Sequence, residues 1–177
     1  MPISLPKEPK HEDYEDFVAS CVLSLGYFVE SNLTLKEEGT EVAELDLVAT
    51  PVVNPIGGVT LLDAKSGKTG FPDLFKISGI KDYLDIPSAC IVRSTMPDEA
   101  KRATLDRVAQ RTNVRVATVC PSTDFEFADV MAPSIDLNDE QRSALCGAAW
   151  FGRIARRLAF RKFLDHCNAH PSNVVTA

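Results

Sequence analysis

No stretch of the sequence approaches the roughly 20 consecutive apolar residues that a membrane-spanning helix requires, although 45% of its 177 residues are hydrophobic. The first eleven residues contain prolines and lysines rather than an apolar segment, so they do not resemble a signal peptide. Charged residues make up 25% of the chain, which is ordinary for a globular protein. We therefore expect a soluble, cytoplasmic protein without a membrane partner, long enough for one compact domain.

The sequence also lacks CxxC pairs and any cluster of histidines. Its five cysteines are Cys21, Cys90, Cys120, Cys146 and Cys167. An odd number of well-separated cysteines at apolar positions favours reduced, buried thiols over a disulfide framework or a zinc site. His166 and His170 are four residues apart, but a helix is expected to end there, so a frayed terminus is favoured over a metal site.

Excess positive charge, which typifies proteins that bind a polyanion, is absent, since the formal net charge is −6. The charges are unevenly distributed: acidic residues are concentrated between Glu8 and Asp46, and basic residues between Arg142 and Lys162. Bound divalent cations would offset acidic groups at a catalytic centre. The net charge therefore counts only weakly against a nucleic-acid partner.

The spacing of apolar, glycine and proline residues predicts one α/β domain with the order α-β-β-β-α-β-α-β-α-α. Helices are predicted over 12–25, 72–84, 97–111 and 138–166, the last interrupted or kinked at Gly147, and strands over 27–37, 42–49, 59–65, 89–92 and 114–119. Residues 1–11 are interpreted as an N-terminal arm and 12–120 as the α/β domain. The third region, 121–177, is interpreted as a helical C-terminal extension packed on the same domain. Its helix begins after an irregular stretch over 120–137.

Two neighbouring predicted strands carry charged residues in apolar surroundings. Asp63 and Lys65 are two residues apart and share one face at the end of the strand over 59–65. A structural ion pair would also explain them. If the strands form a hairpin turning about Asn54-Pro55, Asp46 lies opposite Asp63, with Cβ atoms roughly 5 Å apart. Facing carboxylates beside an amine favour a divalent-cation site, whereas a hairpin shifted by one residue would separate them.

Glu15 is a third candidate acid. On a helical wheel it borders the apolar arc of the first predicted helix, whereas Glu12, Asp13 and Asp16 point away from that arc. Glu15 is therefore expected to lean towards the sheet. An ordinary acidic residue that complements the helix dipole is the alternative.

In these residues the chain resembles the PD-(D/E)xK nuclease superfamily, particularly its restriction-endonuclease-like and Holliday-junction-resolvase-like members. The matching pieces are Tyr14-Glu15 with Leu25-Gly26-Tyr27, Glu44-Leu45-Asp46-Leu47-Val48, Leu61-Leu62-Asp63-Ala64-Lys65 and the α-β-β-β-α-β order over 12–94. Leu45 replaces the proline that names the motif, and Asp63 stands where many relatives have Glu. The resemblance implies a restriction-endonuclease-like core with a mixed central sheet, an extra helix and strand, and a helical C-terminal extension.

The resemblance also implies metal-dependent hydrolysis of phosphodiester bonds. Asp46 and Asp63, with the carbonyl oxygen of Ala64, would hold Mg²⁺ or Mn²⁺, and Glu15 would fix a water molecule or a second ion. Lys65 would orient the attacking water or stabilise the pentacovalent transition state.

A lysine or glutamine of the following helix often faces such a site, and Lys76 is the candidate here, with Tyr83 near it. A solvated helix lysine is the alternative for Lys76.

The implied partner is nucleic acid, with DNA preferred over RNA, for an endonuclease of restriction, defence or repair type. Cleavage of both strands would favour a homodimer. The competing interpretation is a catalytically inactive nuclease-fold module that binds proteins within a larger defence or repair assembly. Arg153, Arg157 and Arg161 recur every four residues and could follow a phosphate backbone, but Trp150 and Ile154 favour a core-packed helix with a cationic rim.

Overall fold

The computed structural model describes residues 4–53, 58–122 and 126–169. Its elements are α1 (Glu12–Ser24), β1 (Tyr27–Glu37), β2 (Thr40–Pro51), β3 (Thr60–Lys65), α2 (Phe71–Tyr83), β4 (Ser88–Arg93), α3 (Glu99–Arg111), β5 (Arg115–Thr118), α4 (Phe127–Val130) and α5 (Asp139–Ala169). The predicted α/β class is confirmed, and most boundaries agree within one or two residues. None of the described helices is both long and apolar enough to cross a bilayer.

In the described residues one mixed sheet has the strand order β1-β2-β3-β4-β5. β2 is antiparallel to its neighbours β1 and β3, and β3, β4 and β5 are parallel. β1 and β2 form a hairpin with a tight two-residue turn, in which Glu38 and Gly39 both adopt positive φ, 48° and 81°. Such a two-residue turn matches the strand twist and lets pairing continue to Glu37 and Thr40.

Helices cover both faces of the sheet. Side chains alternate along β3, so that Leu62 and Ala64 belong to the core beneath α1 and α5, while Leu61 belongs to the core beneath α2 and α3. Asp63 shares the α2 side with Leu61. β3 is therefore a central strand buried on both faces, which explains its nearly continuous apolar sequence.

α5 packs against α1 and runs without interruption through Gly147. The rings of Trp150 and Phe17 are 4.9 Å apart between centroids, and Cys146 and Ile154 are also buried. The helix is not interrupted at Gly147, so that part of the prediction is wrong, whereas the alternative of a kink stays a prediction. Buried contacts on both sides of the glycine hold the helix, and glycine in a helix costs only about 1 kcal/mol relative to alanine.

The stretch predicted to be irregular contains the one-turn helix α4. Its last residue, Val130, and the following Met131 are buried in the core beneath α1. The Ser134 amide donates to the Leu25 carbonyl at 2.7 Å, which ties the segment to the end of α1. Four residues are too few to show a helical period, so the sequence pattern does not reveal this helix.

None of the five cysteines, all of them in the described residues, forms a disulfide, and all except the half-buried Cys167 are buried, as expected. Burial raises the pKa of the Cys21 and Cys90 thiols, which keeps them protonated and unreactive. His166 lies on α5, and His170 lies outside the described residues.

Candidate active site

The pairing of β2 with β3 decides where the two candidate aspartates lie. Leu47 pairs with Leu62 and Val48 with Leu61, in antiparallel register. Continuing this register by one residue places Asp46 opposite Asp63, as the unshifted hairpin predicts. The predicted turn at Asn54-Pro55 lies outside the described residues.

Asp46 also contacts the backbone at the end of β3. Its Oδ2 atom accepts a hydrogen bond of 3.0 Å from the Ala64 amide. This bond holds the Asp46 carboxylate beside the strand segment that carries Asp63 and Lys65. The two acidic side chains therefore converge at one point on the sheet.

Lys65 lies between the two carboxylates. Its Nζ is 2.9 Å from Asp63 Oδ1 and 3.9 Å from Asp46 Oδ2. Burial by itself lowers the pKa of the Lys65 amine, but the hydrogen bond and charge of Asp63, with the charge of Asp46, outweigh burial and raise it. The amine is therefore a stable cation in a strongly negative surrounding.

The Asp63 carboxylate is stabilised incompletely. Burial, and secondly repulsion by Asp46, raise its pKa to about 6, although Lys65 and Lys76 act in the opposite direction. Its Oδ2 atom is buried and has no hydrogen-bond partner among the described residues. A further positive charge at this oxygen would be favourable, because buried charge is costly unless it is paired or bound to metal.

Glu15 comes close enough to this group to interact electrostatically. It is half-buried on α1, and its pKa is raised, first by burial and then by the charge of Asp46, while Lys65 lowers it. Over residues 4–53, 58–122 and 126–169, however, no three Asp, Glu, His or Cys side chains are grouped tightly enough to hold one metal ion. Glu15 therefore lies beside the two aspartates without completing a three-acid ligand set.

Lys76 lies on the α2 side of the aspartates. It lines a small cavity together with Asp46, Asp63 and Ile77, and its charge lowers the pKa of Asp63. Tyr83 has another partner: its hydroxyl donates to Glu37 Oε2 at 2.6 Å, at the end of β1. Of the two α2 residues, Lys76 is the one near the carboxylates.

The row of arginines on α5 pairs mainly with acids of α1. Arg157 contacts the carboxylates of Glu12, Asp13 and Asp16, and Arg161 contacts Glu12. These contacts join the acidic and basic ends of the sequence across the α1–α5 interface. The charges that seemed available for DNA are largely neutralised within the chain.

Arg93 is a charged residue at this side of the sheet that the motifs do not include. It ends β4 and is 4% exposed, and its neighbours in the sheet register are Lys65 on β3 and Thr118 on β5. A signal exists in the sequence: the apolar run Ala89-Cys90-Ile91-Val92 ends in Arg93, as the preceding central strand ends in Lys65. The predicted strand ends at residue 92, so Arg93 is not included in it and is not considered as a site residue.

Compared with known proteins, the chain matches no protein-family model, and no curated protein is significantly similar to it in sequence. Membership of the PD-(D/E)xK superfamily therefore stays a prediction from the motifs, and the geometry of Asp46, Asp63 and Lys65 is what bears on function.

Proposed function

We propose that this protein is a metal-dependent nuclease that hydrolyses phosphodiester bonds at the centre formed by Asp46, Asp63 and Lys65. One observation carries the proposal: two carboxylates meet across neighbouring strands while Asp63 Oδ2 stays buried without a hydrogen-bond donor. An arrangement serving stability alone would place no second acid opposite the first, because like charges there repel.

The donor atoms suit Mg²⁺ or Mn²⁺. Asp46 and Asp63 offer the hard carboxylate oxygens these ions prefer, and such ions commonly use one or two carboxylates with waters completing the shell. Asp63 Oδ2, which has no hydrogen-bond partner among the described residues, would be the first ligand, and Asp46 and the Ala64 carbonyl would add the others. When bound, such an ion lowers the pKa of coordinated water and offsets charge on the phosphate oxygens.

The chain's own side chains supply the remaining functions. Lys65 forms ion pairs with both aspartates, so it would stabilise negative charge on the phosphate or orient the attacking water. Glu15, with its raised pKa, would hold a water molecule or a second ion. Lys76 would add positive charge on the α2 side.

The superfamily resemblance supports DNA as the substrate and a restriction-endonuclease-like core, with a role in restriction, defence or repair. It also supports a homodimer when both strands are cut, since two-fold symmetry supplies two sites. A cytoplasmic location fits such a role.

The test is incubation of the purified protein with supercoiled plasmid and with single-stranded oligonucleotides, in Mg²⁺, Mn²⁺ or EDTA. Removing one transition-state contact lowers rates by about 100-fold or more, so Asp63→Ala and Lys65→Ala should abolish detectable cleavage. Asp98→Ala and Lys101→Ala are matched controls, because they alter an exposed acid–lysine pair at the start of α3. Cleavage that survives both centre substitutions would contradict the proposal.

A second candidate is an inactive nuclease-fold module that binds a protein partner in a larger assembly. It is favoured by apolar side chains exposed along α5 from its thirteenth residue onwards, which are Phe151, Leu158, Phe160, Phe163 and Leu164. Exposed apolar groups of this kind often mark interaction surfaces. Two results together would favour this candidate over the nuclease. Calorimetric titration would detect no Mn²⁺ binding, and a complex with a protein partner that wild type forms would be lost in Phe160→Asp.

A further inference from the structure

Arg93 is the last residue of β4 and lies where the parallel strands β3, β4 and β5 reach their carboxyl ends. The register aligns it with Lys65 on β3 and with Thr118 on β5, so the three side chains form a row on one face. In open α/β sheets, ligands bind beyond the carboxyl ends of parallel strands. This row therefore lies where ligands commonly bind, and its first residue, Lys65, belongs to the proposed centre.

The Arg93 guanidinium is only partly satisfied. Its Nε donates to Thr118 Oγ1 at 2.9 Å, whereas its Nη1 is buried and has no hydrogen-bond partner in the described part of the chain. Asp106 on α3 lies 3.9 Å from Arg102, and its charge raises the pKa of Arg93 without outweighing the effect of burial, which lowers it. A buried guanidinium without a contacting carboxylate is costly, so a residue of this kind reduces stability unless something else binds it.

A second buried polar group without a partner lies in the loop that follows β3. Thr69 Oγ1 has no hydrogen-bond partner among the described residues. That loop contacts the loop after β4, since Thr95 Oγ1 donates to the Gly67 carbonyl at 3.3 Å and the Ser94 amide donates to the Lys65 carbonyl at 3.0 Å. The described residues thus include two buried groups that can donate and have no acceptor, one at the end of β4 and one in the loop after β3.

We propose that Arg93 anchors a phosphate subsite next to the Asp46–Asp63–Lys65 centre, which binds a backbone phosphate of nucleic acid adjacent to the one that is cleaved. The assignment of the neighbouring phosphate rests on the proposed nuclease function. A guanidinium presents planar N–H donors that match phosphate oxygens, and Nη1 is the donor still available. Thr118 orients the fork by accepting from Nε.

Because Arg93 is 4% exposed, a phosphate can reach it only if the loop after β4 moves. The Met96 side chain in that loop is 59% exposed and touches the row through a Thr118 Oγ1–Met96 Sδ contact of 3.4 Å. A flexible thioether is easily displaced. The phosphate reaches Arg93 when this side chain and its loop shift outward.

The test measures binding of a fluorescein-labelled single-stranded 20-nucleotide DNA by fluorescence anisotropy, in EDTA and at several salt concentrations. Arg93→Met should weaken binding about tenfold, as expected for loss of a hydrogen bond to a charged group, and should lower the salt dependence by about one counterion. Arg93→Lys should restore the salt dependence but not the full affinity, because lysine lacks the planar fork. Arg107→Met, an exposed arginine of α3, should bind like wild type.

Thermal unfolding of the same variants separates binding from folding. Arg93→Met should unfold at the wild-type temperature or above it, because the variant removes a buried charge without an ion-pair partner. A marked fall in its unfolding temperature would identify Arg93 as a structural residue and overturn the subsite. An affinity for the oligonucleotide that is the same in Arg93→Met as in wild type would overturn it as well.

The outcomes also distinguish this subsite from the proposed catalysis. In one outcome Arg93→Met binds the oligonucleotide more weakly but wild type cleaves nothing with any metal. Arg93 is then a nucleic-acid contact, and the nuclease proposal is overturned. Cleavage by wild type with unchanged binding by Arg93→Met would remove the subsite alone. A wild-type protein that binds no oligonucleotide at low salt would overturn both.

Discussion

The Nζ atom of Lys65 lies 2.9 Å from Asp63 Oδ1, so the amine and carboxylate two residues apart on β3 form a hydrogen-bonded ion pair. Asp46 approaches the same amine at 3.9 Å. One lysine thus serves two carboxylates, which leaves the group with excess negative charge. This excess governs how the centre responds to pH, to cations and to substitution.

Removal of the lysine charge should make Asp63 a weaker acid still. Lys65 lowers the Asp63 pKa, which burial and Asp46 raise to about 6, so Lys65→Met should move that pKa above 6. Carbon-13 NMR titration of the Asp63 carboxyl measures it. Lys101→Met, at an exposed pair, is the control and should leave the Asp63 pKa where it is. An Asp63 pKa that falls in Lys65→Met would show that the two groups are not coupled as described.

The raised Asp63 pKa predicts that the protein loses stability as pH rises. The folded state binds the Asp63 proton more tightly than the unfolded state, whose carboxyl has an ordinary pKa of 3.8. Stability is therefore highest below pH 4 as far as this group is concerned, and falls between pH 4 and about 6. Asp63→Asn should consequently be more stable than wild type at pH 7.5, by on the order of 3 kcal/mol, and should lose this advantage at pH 4.

Urea unfolding in EDTA at both pH values is the measurement. Asp98→Asn, at an exposed carboxyl, should show no such difference. Equal stability of Asp63→Asn and wild type at pH 7.5 would contradict the incomplete stabilisation of Asp63.

Cation binding at the centre should depend on the same proton. Mn²⁺ competes with it for Asp63, so affinity should be low at pH 5 and rise through pH 6. Calorimetric titration at pH 5 and pH 7.5 checks this, with Asp63→Asn as the variant that should lose binding at both. Pre-saturation with 10 mM Mn²⁺ should raise the unfolding temperature of wild type but not of Asp63→Asn. Identical affinities at the two pH values would place the ion elsewhere.

The α1–α5 interface should depend strongly on Arg157. This side chain contacts Glu12, Asp13 and Asp16, and its own exposure is 21%. Burial raises the pKa of Asp16 and Arg157 lowers it, so Arg157→Met leaves a half-buried carboxylate without its main counterion. We expect a loss of about 3 kcal/mol at pH 7, and a smaller loss at low pH, where Asp16 becomes protonated.

Urea unfolding measures this effect, and Arg156→Met, at an exposed position one residue earlier, is the matched control. Equal losses in the two variants would mean that the ion pairs contribute nothing specific.

Two glycines should respond to alanine in opposite directions. Gly26 has φ +89°, and a Cβ atom there would lie 2.7 Å from the Ile135 side chain, so Gly26→Ala should lower stability by about 2 kcal/mol. A Cβ at Gly147 meets nothing within 4 Å in the middle of α5, so Gly147→Ala should raise stability by up to about 1 kcal/mol. Thermal unfolding of both variants checks the pair, and destabilisation of Gly147→Ala would contradict the continuous helix.

The candidate centre could be predicted only in part. The positions of Asp63 and Lys65 on one face follow from strand alternation, which is local. The position of Asp46 opposite Asp63 depends on the register of β2 and β3, for which the pattern allowed a shifted alternative; the observed pairing of Leu47 with Leu62 decides it. In the described residues, Glu15 does not join the two aspartates in a three-acid group. This depends on where α1 lies relative to the sheet, and a helical wheel does not give that position.

The sequence by itself determined all the helices and strands of the sheet and its covering layers except the one-turn helix α4, because apolar spacing and turn residues act over a few neighbouring positions. Only the tertiary structure decided which distant charges meet. It paired Arg157 with the acids of α1, placed Lys65 between two aspartates, and left Nη1 of Arg93 buried without a partner among the described residues. Those outcomes depend on how helices and strands pack across the whole chain, since electrostatic partners are chosen by distance in space rather than along the sequence.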